Sequence, residues 1–172
     1  MRVERLIRLE KRIKDEVNEL HRLSFPEFRL PLSIATTYVY FNEDSNLMGY
    51  CNIDNPGVNV IAEGILKLSQ FTVLKPENQH YCEGLYMKYI GIKPQFQRQG
   101  FGTFMMYNSI DQARNYEARK GRISSSSVLA IPGSEKGTNF LKKHNFIIIK
   151  QLMQEDYNTG EKIFDDVCQK NV

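Results

Sequence analysis

The sequence predicts an α/β protein (α+β by some schemes) folded as one domain over residues 1–172, and three observations carry that prediction. A strand, a glycine loop and a helix follow one another between Glu83 and Tyr116. Short strand pairs resembling hairpins stand on both sides of that unit. The chain's 172 residues, 41% of them hydrophobic, suffice for one real core, whereas two domains would be cramped.

Taken in order, Val3, Leu6, Ile7, Ile13, Val17 and Leu20 fit one long amphipathic helix over residues 2–24, uninterrupted by Gly or Pro. Pro26 and Pro31 bracket Glu27 to Leu30 as a break or a short helix. Thr36 to Phe41 and Leu47 to Ile53 are rich in β-branched, aromatic and apolar residues. The turn formers Asn42 to Asn46 separate them, which predicts an antiparallel hairpin. Asn55-Pro56-Gly57 closes it. Residues 58–74 follow with a mixed pattern in which Ile61, Ile65, Leu66 and Leu68 suggest a short helix.

Gly84 to Ile92 carries apolar side chains on both parities, as a strand covered on both faces does. Pro94 denies the sheet a donor, so the chain leaves the strand and enters a polar loop, Gln95 to Gln99. From Gly102 the positions Met105, Met106, Ser109, Ile110, Ala113 and Tyr116 recur at helical spacing. Asn115 to Arg122 is charged and exits into Ser124 to Ser127. Val128 to Ile131 reads as a buried strand ended by Pro132-Gly133. Ser134 or Thr138 caps a helix running to about His144. Phe146 to Met153 and Lys162 to Cys168 form a closing hairpin around Tyr157 to Gly160.

A formal net charge of +3 and a pI near 8.7 are too mild a bias to argue for nucleic acid, and suit an anionic cofactor equally well. No apolar run approaches the ~20 residues of a membrane span. The N-terminus is rich in Arg and Glu where a secretory signal needs an apolar core, so a cytoplasmic protein without a membrane partner is expected. Cys51, Cys82 and Cys168 are an odd count at spacings that form no disulfide or metal pattern, and with only His21, His80 and His144 besides, no metal site is expected.

The glycine loop offers a place for phosphate. Amides at a helix start lack intrahelical partners and carry the positive end of the dipole, glycines admit an anion closely, and Arg98 adds a charge-assisted donor. The competing reading is a strand-to-helix turn with a glycine for steric relief. Two named phosphate loops are excluded: there is no GK[ST], and Met105 stands where a dinucleotide fingerprint needs its third Gly.

Gln97-Arg98-Gln99-Gly100-Phe101-Gly102 matches the Gln/Arg-x-x-Gly-x-Gly/Ala signature, and here the chain resembles the GNAT-type N-acetyltransferases. Ile90-Gly91-Ile92-x-Pro94 is similar to the end of that family's fourth strand, and Phe104-Met105-Met106 to the start of its third helix. Gly137 to Phe146 is similar to its helix ending in Tyr-x-Lys-x-Gly-Phe, with Leu141 at the Tyr and Asn145 at the Gly. The resemblance covers roughly residues 33–155. It implies a GNAT acyltransferase fold: a mixed, mostly antiparallel sheet with a splayed parallel pair and flanking helices. For residues 2–24 it implies a strand near Arg2 to Arg8 and a helix from about Glu10 to Ser24, and this is the reading adopted over the single helix above.

The implied activity is acetyl-CoA-dependent N-acetylation of a primary amine by direct attack in a ternary complex. By the same resemblance the backbone of Ile90, Gly91 and Ile92 supplies the oxyanion donor, and the pyrophosphate sits on Gln97, Arg98, Gln99, Gly100, Phe101, Gly102 and Thr103. Ser134 stands where many members place an Asn that contacts pantetheine. Phe140 on the same helix is a further cofactor contact, and Lys143 or Lys93 neutralises phosphate. Tyr86 occupies the family's strand Glu position, as core, substrate wall or base, and Glu83 is the nearest carboxylate, placed to act through a water. The acceptor stays open among small amines, aminoglycosides, protein N-termini or lysines, and aminoacyl-tRNA; a homodimer also stays open. A second reading is a non-catalytic module that binds acyl-CoA as a sensor or interaction platform. Leu141 and the absent strand Glu favour it.

Overall fold

The computed structural model describes residues 1–26, 32, 36–54, 84–122, 127–132, 134–155 and 162–171. The expectations for Glu27 to Leu30, the helix within 58–74, His80, Cys82, Glu83, Ser124 to Ser126 and the turn Tyr157 to Gly160 lie outside those residues. Seven strands are formed: β1 (Arg2–Arg5), β2 (Thr37–Phe41), β3 (Leu47–Asp54), β4 (Leu85–Ile92), β5 (Ser127–Ala130), β6 (Ile147–Glu155) and β7 (Lys162–Asn171). They are ordered β1-β2-β3-β4-β5-β7-β6. The described α-helices are α1 (Lys11–Ser24), α2 (Phe101–Arg119) and α3 (Glu135–Lys143). The pairs β1–β2, β2–β3, β5–β7 and β6–β7 are antiparallel and β4–β5 is parallel, so the sheet is mixed and mostly antiparallel. No helix among the described residues is long and apolar enough to cross a membrane.

Contacts divide the chain into two compact units, Met1–Asn55 with Lys88–Arg122, and Pro56–Met87 with Ile123–Val172. The first bears out the strand and helix that the resemblance implied for residues 2–24, over the single helix that periodicity alone allowed. β1 pairs with β2 from Arg2↔Phe41 to Arg5↔Tyr38, a 3-10 turn covers Leu6–Arg8, and α1 begins only at Lys11. The sheet ladder and burial of Leu6 override a periodicity that local sequence left compatible with helix. Leu6, Val17, Leu20, Val39, Phe41, Leu47, Tyr50 and Tyr89 then form the core under α1. The Tyr40 hydroxyl lies 2.6 Å from Ser109 Oγ and donates to the Met105 carbonyl (3.1 Å), fixing α2 against β2.

In the second unit β5 pairs with β4 at only Leu85↔Val128, Tyr86↔Leu129 and Met87↔Ala130, and with β7 on its other side. Ser134 is the N-cap of α3: its side chain accepts from the Gly137 amide at 3.2 Å. At the other end Asn145 adopts φ 62°, and the amides of His144 and Phe146 return to the Leu141 carbonyl, closing the helix through a left-handed residue. The β6–β7 hairpin shifts register between Ile148 and Lys150.

Candidate functional site

The end of β4 and the loop into α2 are one continuous construction. Gly91 has to be glycine, because a Cβ there would collide with Cε1 of Tyr50 and stand 2.8 Å from its Cζ. The Tyr50 ring fills that space and sets its hydroxyl 2.6 Å from His21 Nδ1 on α1. Burial holds the Tyr50 phenol far above its ordinary value, so at neutral pH it keeps its proton, and the His21 tautomer sets which of the two groups donates. His21 also meets the Tyr89 ring edge-on, with centroids 4.7 Å apart. This polar contact inside the α1 core therefore anchors the strand whose last residues are Ile90, Gly91 and Ile92.

Beyond Ile92 the Lys93 amide donates to the Met48 carbonyl (2.9 Å), and Pro94–Phe96 forms a 3-10 turn. The signature glutamines brace the loop. Gln97 Nε2 donates to the Ile92 carbonyl at 2.9 Å and Gln99 Nε2 to the Gln95 carbonyl at 2.8 Å. Phe96 and Phe101 meet edge-to-face across it, 6.2 Å between centroids. Within this brace Arg98 (φ 60°) and Gly100 (φ 82°) both take the left-handed conformation. For Arg98 that costs roughly 1–2 kcal/mol, a strain the two glutamine bonds hold in place. Nothing lies within 4 Å of a Cβ built on Gly100, so glycine is required there by backbone angle and not by space.

Gly100 is the N-cap of α2 and provides no side-chain cap; no acidic residue stands in the first turn. The first intrahelical bond runs from the Phe104 amide to the Gly100 carbonyl (3.2 Å), leaving the Phe101 and Gly102 amides without an intrahelical acceptor. Left-handed residues alternating with ordinary ones turn successive amides to one side, the geometry that binds anions. Among the described residues the exposed Arg98 guanidinium has no hydrogen-bond or ion-pair partner. The loop therefore presents backbone donors, a dipole end and a cation together.

Of the residues named from sequence, Ile90 to Ile92 and Gln97 to Thr103 stand together in the first unit. Lys93, one of the two lysines expected near phosphate, is instead ion-paired to Glu16 of α1. Tyr86, Ser134, Phe140 and Lys143 belong to the second unit. Tyr86 is fully buried in the first half of β4. Ser134 is exposed and its hydroxyl caps α3, Phe140 packs edge-on against His144 at 4.8 Å, and Lys143 is exposed. Leu141, at the family's Tyr position, is 3% exposed.

Sequence reading missed two polar contacts of β4's neighbourhood. One is Tyr50–His21, hinted at by a glycine inside an apolar strand, which marks a close approach. The other joins Lys88 Nζ to Asp54 Oδ2 at 3.0 Å, with both side chains nearly buried. A lysine in the middle of an otherwise apolar strand was the available signal. The thiol of Cys51, buried in β3, is pushed up to about 12 by desolvation and stays protonated at neutral pH.

No protein-family model matches the chain, and no curated protein does. Solved structures do. Ard1 from Thermoplasma volcanium aligns with a TM-score of 0.61 at 13% identity, covering 99% of this chain and 97% of that one. A GNAT-superfamily phosphinothricin acetyltransferase from Sinorhizobium meliloti, solved with AcCoA, gives 0.59 at 10% identity over 99% and 88%. Naa20 from Chaetomium thermophilum, solved with a bisubstrate analogue, gives 0.59 at 11% identity over 100% and 87%. Likeness at this identity speaks for the fold: the chain has the GNAT acyltransferase fold.

Proposed function

We propose that this protein is an acetyl-CoA-dependent N-acetyltransferase that passes the acetyl group to a primary amine by direct attack in a ternary complex. The observation that carries the reading is the braced, strained loop at Arg98 and Gly100, open above the start of α2 in a chain with the GNAT fold. Its amides and Arg98 take the pyrophosphate, and the backbone of Ile90 to Ile92 steadies the developing oxyanion. Ser134, Phe140 and Lys143 are the proposed cofactor contacts of α3.

In the reaction the amine nitrogen attacks the thioester carbonyl carbon. The C–N bond forms, the C–S bond breaks, and the thiolate leaves and is protonated from water. An amine with a lysine-like pKa of ~10.4 is neutral only about one part in 10³ to 10⁴ at pH 7, so deprotonating it is worth up to roughly 4–5 kcal/mol. Releasing a thiolate of pKa ~8.5 without an acid costs only about 2 kcal/mol. A leucine at position 141 is therefore tolerable, and a base matters more. Glu83 acting through a water is the proposed base, with Tyr86 forming core or substrate wall. The buried Leu141, and the buried Tyr86 at the strand Glu position, favour the second reading, an acyl-CoA-binding module without chemistry.

Calorimetry with acetyl-CoA, and thiol release in the presence of an amine panel, test the proposal together. Wild type binds and releases thiol with at least one amine, while Gly100→Glu, which puts a carboxylate in the pyrophosphate path, folds and does not bind. Equal affinity in both proteins overturns the loop assignment. Binding without thiol release from any amine favours the module.

A further inference from the structure

Two residues of β3 and two of α1 converge on the end of β4. From β3, the Met48 carbonyl accepts from the Lys93 amide at 2.9 Å, and the Tyr50 ring fills the space beside Gly91. From α1, His21 Nδ1 lies 2.6 Å from the Tyr50 hydroxyl, and Glu16 is ion-paired to Lys93. Glu16 and His21 stand about 7.5 Å apart along a helix axis, and Gly91 and Lys93 about 6.6 Å apart along a strand. The helix therefore lies along Ile92 like a splint, with one contact on each side of it.

Stability alone does not ask for the inner of these contacts. Tyr50 is fully buried and His21 is 5% exposed, beside a core of Leu6, Val17, Leu20, Val39 and Phe41. A phenylalanine and a leucine in their places would fill nearly the same space with no polar group to satisfy, an exchange that is commonly neutral or stabilising. What the polar pair adds is direction. An apolar ring tolerates small displacements, whereas a hydrogen bond of 2.6 Å ties the hydroxyl end of Tyr50 to one point on α1. The ring edge beside Gly91 is fixed with it. Negative charge developing on a thioester oxygen is stabilised by donors already in place, and a misplacement of about 1 Å costs about 10²-fold in rate.

We infer that Tyr50 and His21 are positioning residues for acyl transfer: through the Tyr50 ring they set the Gly91 backbone where the end of β4 steadies the oxyanion. This inference rests on the transferase reading above. The test compares wild type, Tyr50→Phe, and Tyr50→Phe combined with His21→Leu, each assayed well below its own Tm. Thiol release from acetyl-CoA with the best amine of the panel gives kcat, and calorimetry gives the Kd for acetyl-CoA. Tyr50→Phe keeps the ring but takes the Tyr50 oxygen away from a buried imidazole, so its Tm falls. The double variant replaces both polar groups and regains most of that Tm. Turnover does not return with it. In both variants kcat is expected to fall about tenfold or more. The Kd stays within about twofold of wild type, because the pyrophosphate loop keeps its own brace of Gln97 and Gln99. A pair with only a structural role would return kcat together with Tm. A folded double variant with kcat within about twofold of wild type therefore overturns the inference and leaves the transferase reading intact. A loss of acetyl-CoA affinity as large as the loss of kcat does the same, since the pair would then shape the cofactor site and not the reacting end. If the double variant does not fold, Tyr50→Phe decides by the same two limits. A wild type that binds acetyl-CoA and releases thiol with no amine overturns the inference and the transferase reading together.

Discussion

A single hydrogen atom at Gly91 decides whether the end of β4 can lie where it does. The clash an added methyl would make is with Cε1 and Cζ of Tyr50, ring carbons held by the hydroxyl's contact to His21 and by the surrounding core. Gly91→Ala is therefore an overpacking substitution, expected to cost about 1–3 kcal/mol. Tyr50→Phe does not relieve it, since phenylalanine keeps the same ring carbons and only loses the His21 partner. Tyr50→Leu in the Gly91→Ala background does relieve it, because the ring is gone. Denaturant unfolding of the three singles and the two doubles reads this directly. A Gly91→Ala protein as stable as wild type, or a Phe rescue as good as the Leu rescue, shows that the ring moves aside freely and that Gly91 is not held by Tyr50.

At the scale of elements, helix ends were the most legible features and long-range polar contacts the least. Ser134 and Asn145 mark the limits of α3 in the sequence because capping is a property of one residue and its immediate backbone. The glycine loop was readable for the same reason. The break between β1 and α1 was legible only through the family resemblance, since the apolar positions of residues 2–24 satisfy a helix and pairing with β2 is what rejects it. Lys93–Glu16 joins residues 77 apart, and Lys88–Asp54 joins two strands with residues 55–84 between them; no local rule pairs such positions. The end of α3 also carries a pH dependence. Burial holds the His144 imidazole below its usual value, and the Lys143 and Lys170 ammoniums add to the shift. A folded value below the unfolded one means the unfolded chain binds the extra proton first, so the stability this group contributes is present above about pH 6.5 and is lost as pH falls below it. His144→Gln should therefore lose less Tm than wild type between pH 7 and pH 5. Because His144 is half-exposed the difference is modest, and parallel melting curves across that range would assign the shift to other groups.

At the scale of the whole molecule, neither compact unit is a continuous piece of chain. Each is assembled from two segments, and β4 gives Leu85–Met87 to one and Lys88–Ile92 to the other. A strand cannot melt in one half without ending the ladder of the next, and the loop proposed to hold pyrophosphate begins where that strand stops. The two units are thus expected to unfold together, in one calorimetric transition whose van't Hoff and calorimetric enthalpies agree. Acetyl-CoA at about 100 times its Kd adds about 2.7 kcal/mol to the folded state. For a chain of this length each kcal/mol raises Tm by roughly 2–4 °C, so the whole transition moves up by about 5–10 °C. Gly100→Glu should keep the single transition and lose the shift. Two transitions, with only the lower or only the upper one moved by acetyl-CoA, would show that β4 does not couple the units and that ligand stabilises one of them alone.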